Sequence, residues 1–239
     1  LANKITQLII NSIFFLLREF IKKYIYYKKY TKFDKFFGDR SDNNNIVIVE
    51  MFKFNQNILS LLVWKIFLKK KGYKNFYCYP PKINSVYNPI TFYIYKKLGF
   101  KIINYQTNYD QEKLLNKICS RISLKKISKK RLLNLKYDNI KIGDLIYDDY
   151  LRFNKKPTVN YDDPKFIETV KNGYRIAIFW KDFFKQNKTD YLCYSHAVYL
   201  IGVPARISLN FNISNLNVCG DNTFRIFKNY LHQGDQFFF

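Results

Sequence analysis

Cysteine and histidine are scarce in this sequence, and their spacing is unfavourable for a metal site. The chain has four cysteines and two histidines among its 239 residues. The cysteines form no C-x-x-C pair: Cys78, Cys119, Cys193 and Cys219. Without closely spaced thiols or imidazoles, neither a zinc site nor a disulfide framework is expected. Buried free thiols are the common state in a reducing compartment, so the sequence predicts a cytoplasmic protein.

Glycine-based phosphate motifs are also missing. The eight glycines form neither G-x-G-x-x-G nor G-x-x-x-x-G-K-[ST], so no dinucleotide or P-loop cradle is predicted. The chain has no D-x-D either, because its paired aspartates, Asp148-Asp149 and Asp162-Asp163, are adjacent. A diphosphate held through a metal ion on spaced carboxylates is therefore disfavoured.

No uncharged stretch near the N-terminus is long enough to cross a bilayer. From Ile5 to Tyr27 apolar residues recur at helical spacing, and lysines gather at the end of the pattern. The longest uncharged stretch, Ile5 to Leu17, falls short of the roughly 20 apolar residues that a span needs. Residues 1–38 are therefore predicted to form an amphipathic basic helix. Two interpretations remain open: peripheral contact with an anionic membrane at the inner face of the plasma membrane, or packing on its own domain.

Acidic residues are few compared with basic ones. The chain has 18 acidic and 41 basic residues, a formal net charge of +23, and a positive field attracts polyanions. Eight of the 41 basic residues are arginine, which leaves 33 lysines. Nucleic-acid recognition favours the paired donors of arginine, whereas scattered lysine is typical of a solvated surface. The composition therefore argues against a nucleic-acid partner.

Strands and helices are predicted to alternate after a polar linker at residues 39–45. The predicted elements are a strand at Ile46–Met51, a helix at Ile58–Lys70, a strand at Asn75–Tyr79, a helix at residues 88–98 and a strand at Lys101–Tyr105. β-Branched strands that alternate with helices indicate right-handed βαβ units. The predicted fold is α/β, with a Rossmann-like, open, mainly parallel, doubly wound sheet.

A long helix and a further strand follow in the second half. The helix is predicted from Lys165 to about Lys185 with Asp163 as its N-cap, and the strand at Asp190–Tyr194. Ligands of such sheets bind at the carboxyl ends of the strands. Glu50, at the end of the first strand, and Ser195 and His196, directly after the later one, are therefore candidate site residues.

Two separated segments carry a family resemblance. Gly143 to Arg152 reads Gly-Asp-Leu-Ile-Tyr-Asp-Asp-Tyr-Leu-Arg, and Tyr194 to Tyr199 reads Tyr-Ser-His-Ala-Val-Tyr, followed by Gly202 and Ala205-Arg206-Ile207-Ser208. In their order and spacing they resemble segments of the N-terminal, acceptor-side halves of GT-B glycosyltransferases that build bacterial capsule and O-antigen polysaccharides. The resemblance covers residues 46–230 approximately.

The resemblance implies a two-domain enzyme. Residues 46–220 would form the acceptor-side domain, and residues 221–239 would begin the crossing to a donor domain that lies beyond this sequence. Such an enzyme transfers a sugar from a nucleotide-sugar to a glycan or lipid-linked acceptor and needs no cofactor or metal.

The resemblance also suggests roles for individual residues. An inverting transfer needs a general base for the acceptor hydroxyl. His196 is the first candidate because its unperturbed pKa lies near neutrality, and Glu50 is the competing one. Acceptor or cleft binding is expected of Asp144, Tyr147, Arg152, Ser195, Tyr199 and Arg206. The alternatives are an ordinary ion pair for Asp144, Tyr147 and Arg152, a helix-surface charge for Arg206, and a buried structural histidine for His196.

Two other functional classes remain open. The chain is alternatively a non-catalytic membrane-surface scaffold of the same pathway, which would use the basic helix. It is otherwise a basic nucleic-acid-binding α/β domain, which would require its basic residues to collect on one face.

Overall fold

A computed structural model describes residues 43–51, 55–81, 83, 89–122, 127–218 and 224–227. The predicted helix in residues 1–38 and most of the predicted crossing at 221–239 lie outside these residues. The strands are β1 (Asn43–Glu50), β2 (Tyr73–Tyr79), β3 (Lys101–Ile102), β4 (Lys136–Tyr137), β5 (Ile140–Lys141), β6 (Thr189–Tyr194), β7 (Ser214–Val218) and β8 (Phe224–Phe227). The helices are α1 (Asn55–Lys70), α2 (Pro89–Lys97), α3 (Tyr109–Arg121), α4 (Lys129–Leu133), α5 (Gly143–Asn154), α6 (Pro164–Gln186) and α7 (Val203–Leu209).

The main sheet has six strands in the order β3-β2-β1-β6-β7-β8. The first five run parallel, and β8 pairs antiparallel with β7 at the edge. The predicted α/β fold with an open, mainly parallel sheet is therefore confirmed. β1 lies in the middle of the sheet, with β2 and β3 on one side and β6, β7 and β8 on the other.

Helices cover both faces of this sheet. Ile46 and Ile48 point into a core formed with α3 to α7, whereas Val47 and Val49 point into a second core formed with α1 and α2. Because both faces are covered, β1 is apolar at consecutive positions rather than at alternate ones. The β-branched run in the sequence follows from this burial.

The long helix α6 organises the larger core. Asp163 caps it, since the Lys165 amide donates to the Asp163 carboxylate at 2.9 Å, as predicted, and Pro164 occupies the first turn. Its Trp180 is fully buried, and α6 contacts α3, α5 and α7. In the part of the chain that the structure describes, no helix is long and apolar enough to span a membrane.

Several predicted boundaries were wrong. The linker at 39–45 ends earlier, because β1 begins at Asn43 and the Asn45 side chain donates to Asp190 at the start of β6. β3 has two residues instead of five. The segment from Gly143 to Arg152, to which no element was assigned, is the body of α5. The capping box of α3, Asn108 with Gln111, is a sequence signal that the prediction overlooked.

Candidate functional site

The candidate site lies at the carboxyl ends of β1 and β6. In the strand order, the chain continues from β1 to β2 on one side, whereas it continues from β6 to β7 on the other side. At such a reversal the loops after the two central strands diverge and leave a crevice where ligands bind. Glu50 ends β1 and Ser195 directly follows β6, so the topology brings these two residues together.

Glu50 and Ser195 are joined by a dense set of hydrogen bonds. The Ser195 backbone amide donates to Oε2 of Glu50 at 2.8 Å, and the Ser195 hydroxyl lies 3.0 Å from both carboxylate oxygens. Glu50 is 4% exposed. The carboxyl group is therefore held in one orientation by partners that carry no charge.

This environment changes the acidity of Glu50. Burial raises its pKa to about 7, against the opposing effect of the hydrogen bonds from Ser195. Desolvation disfavours the ionised carboxylate, and no cation pairs with Glu50 among the residues that the structure describes. At neutral pH the group therefore exchanges readily between its protonated and ionised forms, as a general acid or base requires.

Tyr79 lies beside Glu50 on the same face of the sheet. The two residues are register partners across β1 and β2, and Tyr79 is 1% exposed. Its hydroxyl has no hydrogen-bond partner among the residues that the structure describes. Burial, followed by the charge of Glu50, raises the pKa of Tyr79 well above its usual value, so the phenol stays protonated and available as a donor.

Aromatic rings support this part of the site. The Tyr79 ring packs edge-on against Trp180, with centroids 4.7 Å apart, and against Tyr105 at 6.3 Å. A pocket of about 270 Å³ opens beside Tyr105; it is lined by Pro80, Phe92, Ile102, Ile103, Asn104, Tyr105 and Gln106. This recess lies at the carboxyl edge of β2 and β3, and neither Glu50 nor Ser195 lines it.

His196 lies next to Ser195 but in a different environment. Its side chain is exposed, and no contact that fixes its imidazole is recorded among the described residues. Its role as general base remains a prediction. Because its side chain is exposed, the alternative of a buried structural histidine is wrong.

Asp144, which is partly exposed, forms an ion pair with the buried Arg206. The two guanidinium NH groups reach the two carboxylate oxygens at 2.6 and 2.7 Å, and one of them also donates to the Lys141 carbonyl at 2.9 Å. Arg206 is 1% exposed, so the helix-surface alternative for it is wrong. Burial acts to raise the pKa of Asp144, but the hydrogen bonds and charge of Arg206 outweigh it and the pKa is lowered.

The remaining predicted residues are spread over α5 and the loop after β6. Tyr147 is half-buried with the Lys129 ammonium 5.1 Å from its ring centroid, and Arg152 is exposed. Tyr199 has a φ of 55°, and its ring packs against Phe153 at 5.8 Å. No recorded contact joins any of these side chains to Glu50, so their roles in acceptor binding remain predictions.

Tyr79 is the site residue that sequence reasoning missed. The argument that selected Glu50, a polar group at the carboxyl end of a buried strand, also applies to the last residue of β2. Tyr79 was overlooked because tyrosine is abundant here, with 21 copies.

No group of three or more potential metal ligands occurs among the residues that the structure describes. Comparison of the chain with protein-family models, with curated proteins and with solved structures gave no match.

Proposed function

We propose that this chain is the acceptor-side domain of a glycosyltransferase in which Glu50 is the general base. The substrates would be a nucleotide-sugar and a glycan or lipid-linked acceptor. Glu50 takes the proton of the acceptor hydroxyl while its oxygen bonds to the anomeric carbon. The bond from that carbon to the phosphate oxygen of the donor breaks, and the nucleotide leaves with the electron pair.

One observation carries this proposal: a buried carboxyl with a pKa of about 7 stands at the reversal point of the sheet. Perturbed acids in clefts are enriched at catalytic sites because a base acts best with a pKa near the working pH. Here the perturbation comes from burial, and no cation pairs with Glu50 among the residues that the structure describes. The two segments that resemble GT-B acceptor domains supply the reaction class.

Geometry favours Glu50 over His196 as the base. Proton abstraction needs a group held in a fixed direction, and Ser195 holds both oxygens of Glu50. His196 is exposed, and no contact among the described residues orients its imidazole. In this proposal the imidazole contacts the acceptor at the mouth of the site.

The test is a transfer assay on the complete protein, with whatever sequence flanks these residues, across UDP-, GDP- and CMP-sugars. Glu50→Gln keeps the shape of the side chain and removes the base, so kcat should fall by about 10²- to 10⁴-fold. Glu168→Gln is the matched control, because this glutamate lies on the exposed side of α6 with its side chain 57% exposed. His196→Ala should alter KM more than kcat.

The pH profile provides an independent measurement. In the wild type kcat/KM should rise as the pH passes through about 7, where Glu50 loses its proton. Full activity of Glu50→Gln would exclude Glu50 as the base. A loss of kcat in His196→Ala alone would assign the base to His196, and no transfer from any donor would favour the scaffold alternative.

A further inference from the structure

A second pocket lies away from Glu50 and is strongly basic. Its volume is about 550 Å³, within the usual range of small-molecule sites. It is lined by Ile118, Arg121, Ile122, Ser128, Lys130, Arg131, Asn134, Leu135, Lys136 and Tyr174. These residues come from the end of α3, from α4 and the turn after it, from β4 and from α6. None of them belongs to the site around Glu50.

Four of the lining side chains are cationic and none is acidic. Arg121, Lys130, Arg131 and Lys136 form no ion pair with any other residue that the structure describes. By contrast, Arg175 and Arg206 are neutralised by carboxylates. Four uncompensated positive charges around one concavity produce a strong local field that attracts an anion.

Arginine is over-represented in this pocket. Lysines outnumber arginines 33 to eight in the chain, yet the pocket holds two of each. Arginine presents paired, planar donors that fit the oxygens of a phosphate, whereas a scattered lysine surface requires none of this geometry. The pocket therefore differs in composition from the general basic surface.

The walls of the pocket are held in place from behind. The Ile142 and Gly143 amides both donate to the Leu135 carbonyl, at 2.9 and 3.0 Å. The Tyr174 hydroxyl donates to the Lys136 carbonyl at 3.3 Å. Arg175 on α6 binds Glu112 on α3 at 2.6 Å. The cations therefore project from a fixed backbone, which lowers the cost of ordering them around a ligand.

We propose that this pocket binds a small phosphorylated molecule that carries two phosphates and an apolar or ring portion. Arg121 and Arg131 bind the phosphate oxygens, and Lys130 and Lys136 add charge. The apolar portion rests on Ile118, Ile122 and Leu135. A concave site of this size favours a small ligand over a polymer. A polymer needs no concavity, because a flat basic surface binds it equally well.

The test is calorimetric titration of the purified protein with inorganic pyrophosphate. Arg121→Gln/Arg131→Gln should weaken binding by about tenfold or more, since two charge-assisted contacts are lost. Lys113→Gln/Lys117→Gln is the matched control: both lysines are exposed on α3, neither lines the pocket, and the loss of charge is the same. This control should change the Kd by about twofold or less, through general attraction alone.

Three results would overturn the proposal. The first is the absence of saturable pyrophosphate binding at about 1 mM. The second is an equal loss of affinity in both double variants. The third is that a single-stranded oligonucleotide or anionic vesicles displace pyrophosphate and that the arginine variants abolish this displacement. The last result would assign the patch to a polymer or a membrane. Uridine diphosphate should bind more tightly than pyrophosphate; equal affinity would remove the apolar portion from the proposal. Circular dichroism checks that each variant is folded.

Discussion

Glu50 and Asp144 are both acidic side chains with fixed partners in this fold, but their partners differ in charge. Glu50 accepts hydrogen bonds from the neutral hydroxyl and amide of Ser195, and its pKa is raised to about 7 by burial. Asp144 faces the guanidinium of Arg206, and its pKa is lowered. A compensated carboxylate is a permanent structural charge, whereas an uncompensated one can exchange a proton. The comparison separates a carboxylate whose acidity is set by a counterion from one whose acidity is set by burial.

Removing the Asp144 carboxylate from its ion pair with Arg206 should have the largest effect on stability. Asp144→Ala leaves the guanidinium of Arg206 buried without its counterion, and we expect the free energy of unfolding to fall by about 3–5 kcal/mol. Urea unfolding measures this change. Glu168→Ala removes a carboxylate that lies 3.4 Å from Arg175 and is 57% exposed, and it should cost about 1 kcal/mol or less. Equal losses in the two variants would contradict the structural role of Asp144.

The second prediction uses the pH dependence of stability. Folded Glu50 keeps its proton up to about pH 7, whereas its ordinary pKa is 4.5. Between these values the unfolded chain holds fewer protons than the folded one, so the contribution of Glu50 to stability falls as the pH rises. Glu50→Gln has no such titration. The free energy of unfolding of Glu50→Gln relative to the wild type should increase by up to roughly 3 kcal/mol from about pH 4.5 to about pH 8.

Urea unfolding of both proteins across this range is the measurement. A difference that stays constant with pH would show that Glu50 titrates normally, and its contrast with Asp144 would disappear. Asp144 acts in the opposite sense, because its lowered pKa gives stability that is lost only as the pH falls through that value.

The smallest effect concerns Ser195. Its hydrogen bonds lower the pKa of Glu50 against the effect of burial, and Ser195→Ala removes the hydroxyl but retains the backbone amide. We expect the pKa of Glu50 to rise by about one unit, as read from the carboxyl ¹³C shift in an NMR titration. Ser120→Ala on α3, whose hydroxyl donates to the Lys117 carbonyl, should leave the titration unchanged. A downward shift in Ser195→Ala would contradict the hydrogen-bond assignment.

Local patterns in the sequence predicted much of the sheet. The β-branched run of β1 and the cap of α6 at Asp163 are visible because each depends on neighbours in the chain. The position of Glu50 at a strand end followed from the same patterns. β3 was predicted too long because the sequence shows apolar character but not where hydrogen bonding to β2 stops.

The contacts of the candidate site were not predictable in the same way. The Glu50–Ser195 bonds connect residues 145 positions apart, and the Asp144–Arg206 pair spans 62. Both depend on the strand order and on how α5 and α7 pack, which no local pattern contains. For this reason Arg206 was expected to be available for acceptor or cleft binding, although its side chain is engaged inside the fold.

The 145-residue separation between Glu50 and Ser195 also bears on how the protein folds. β1 can pair with β2 soon after synthesis, since only a short connection separates them, whereas pairing with β6 requires closure of a much longer loop. Glu50 is therefore synthesised well before its partner Ser195. Until β6 joins the sheet, Glu50 is an ordinary solvated glutamate, so its raised pKa depends on the pairing of β6 with β1.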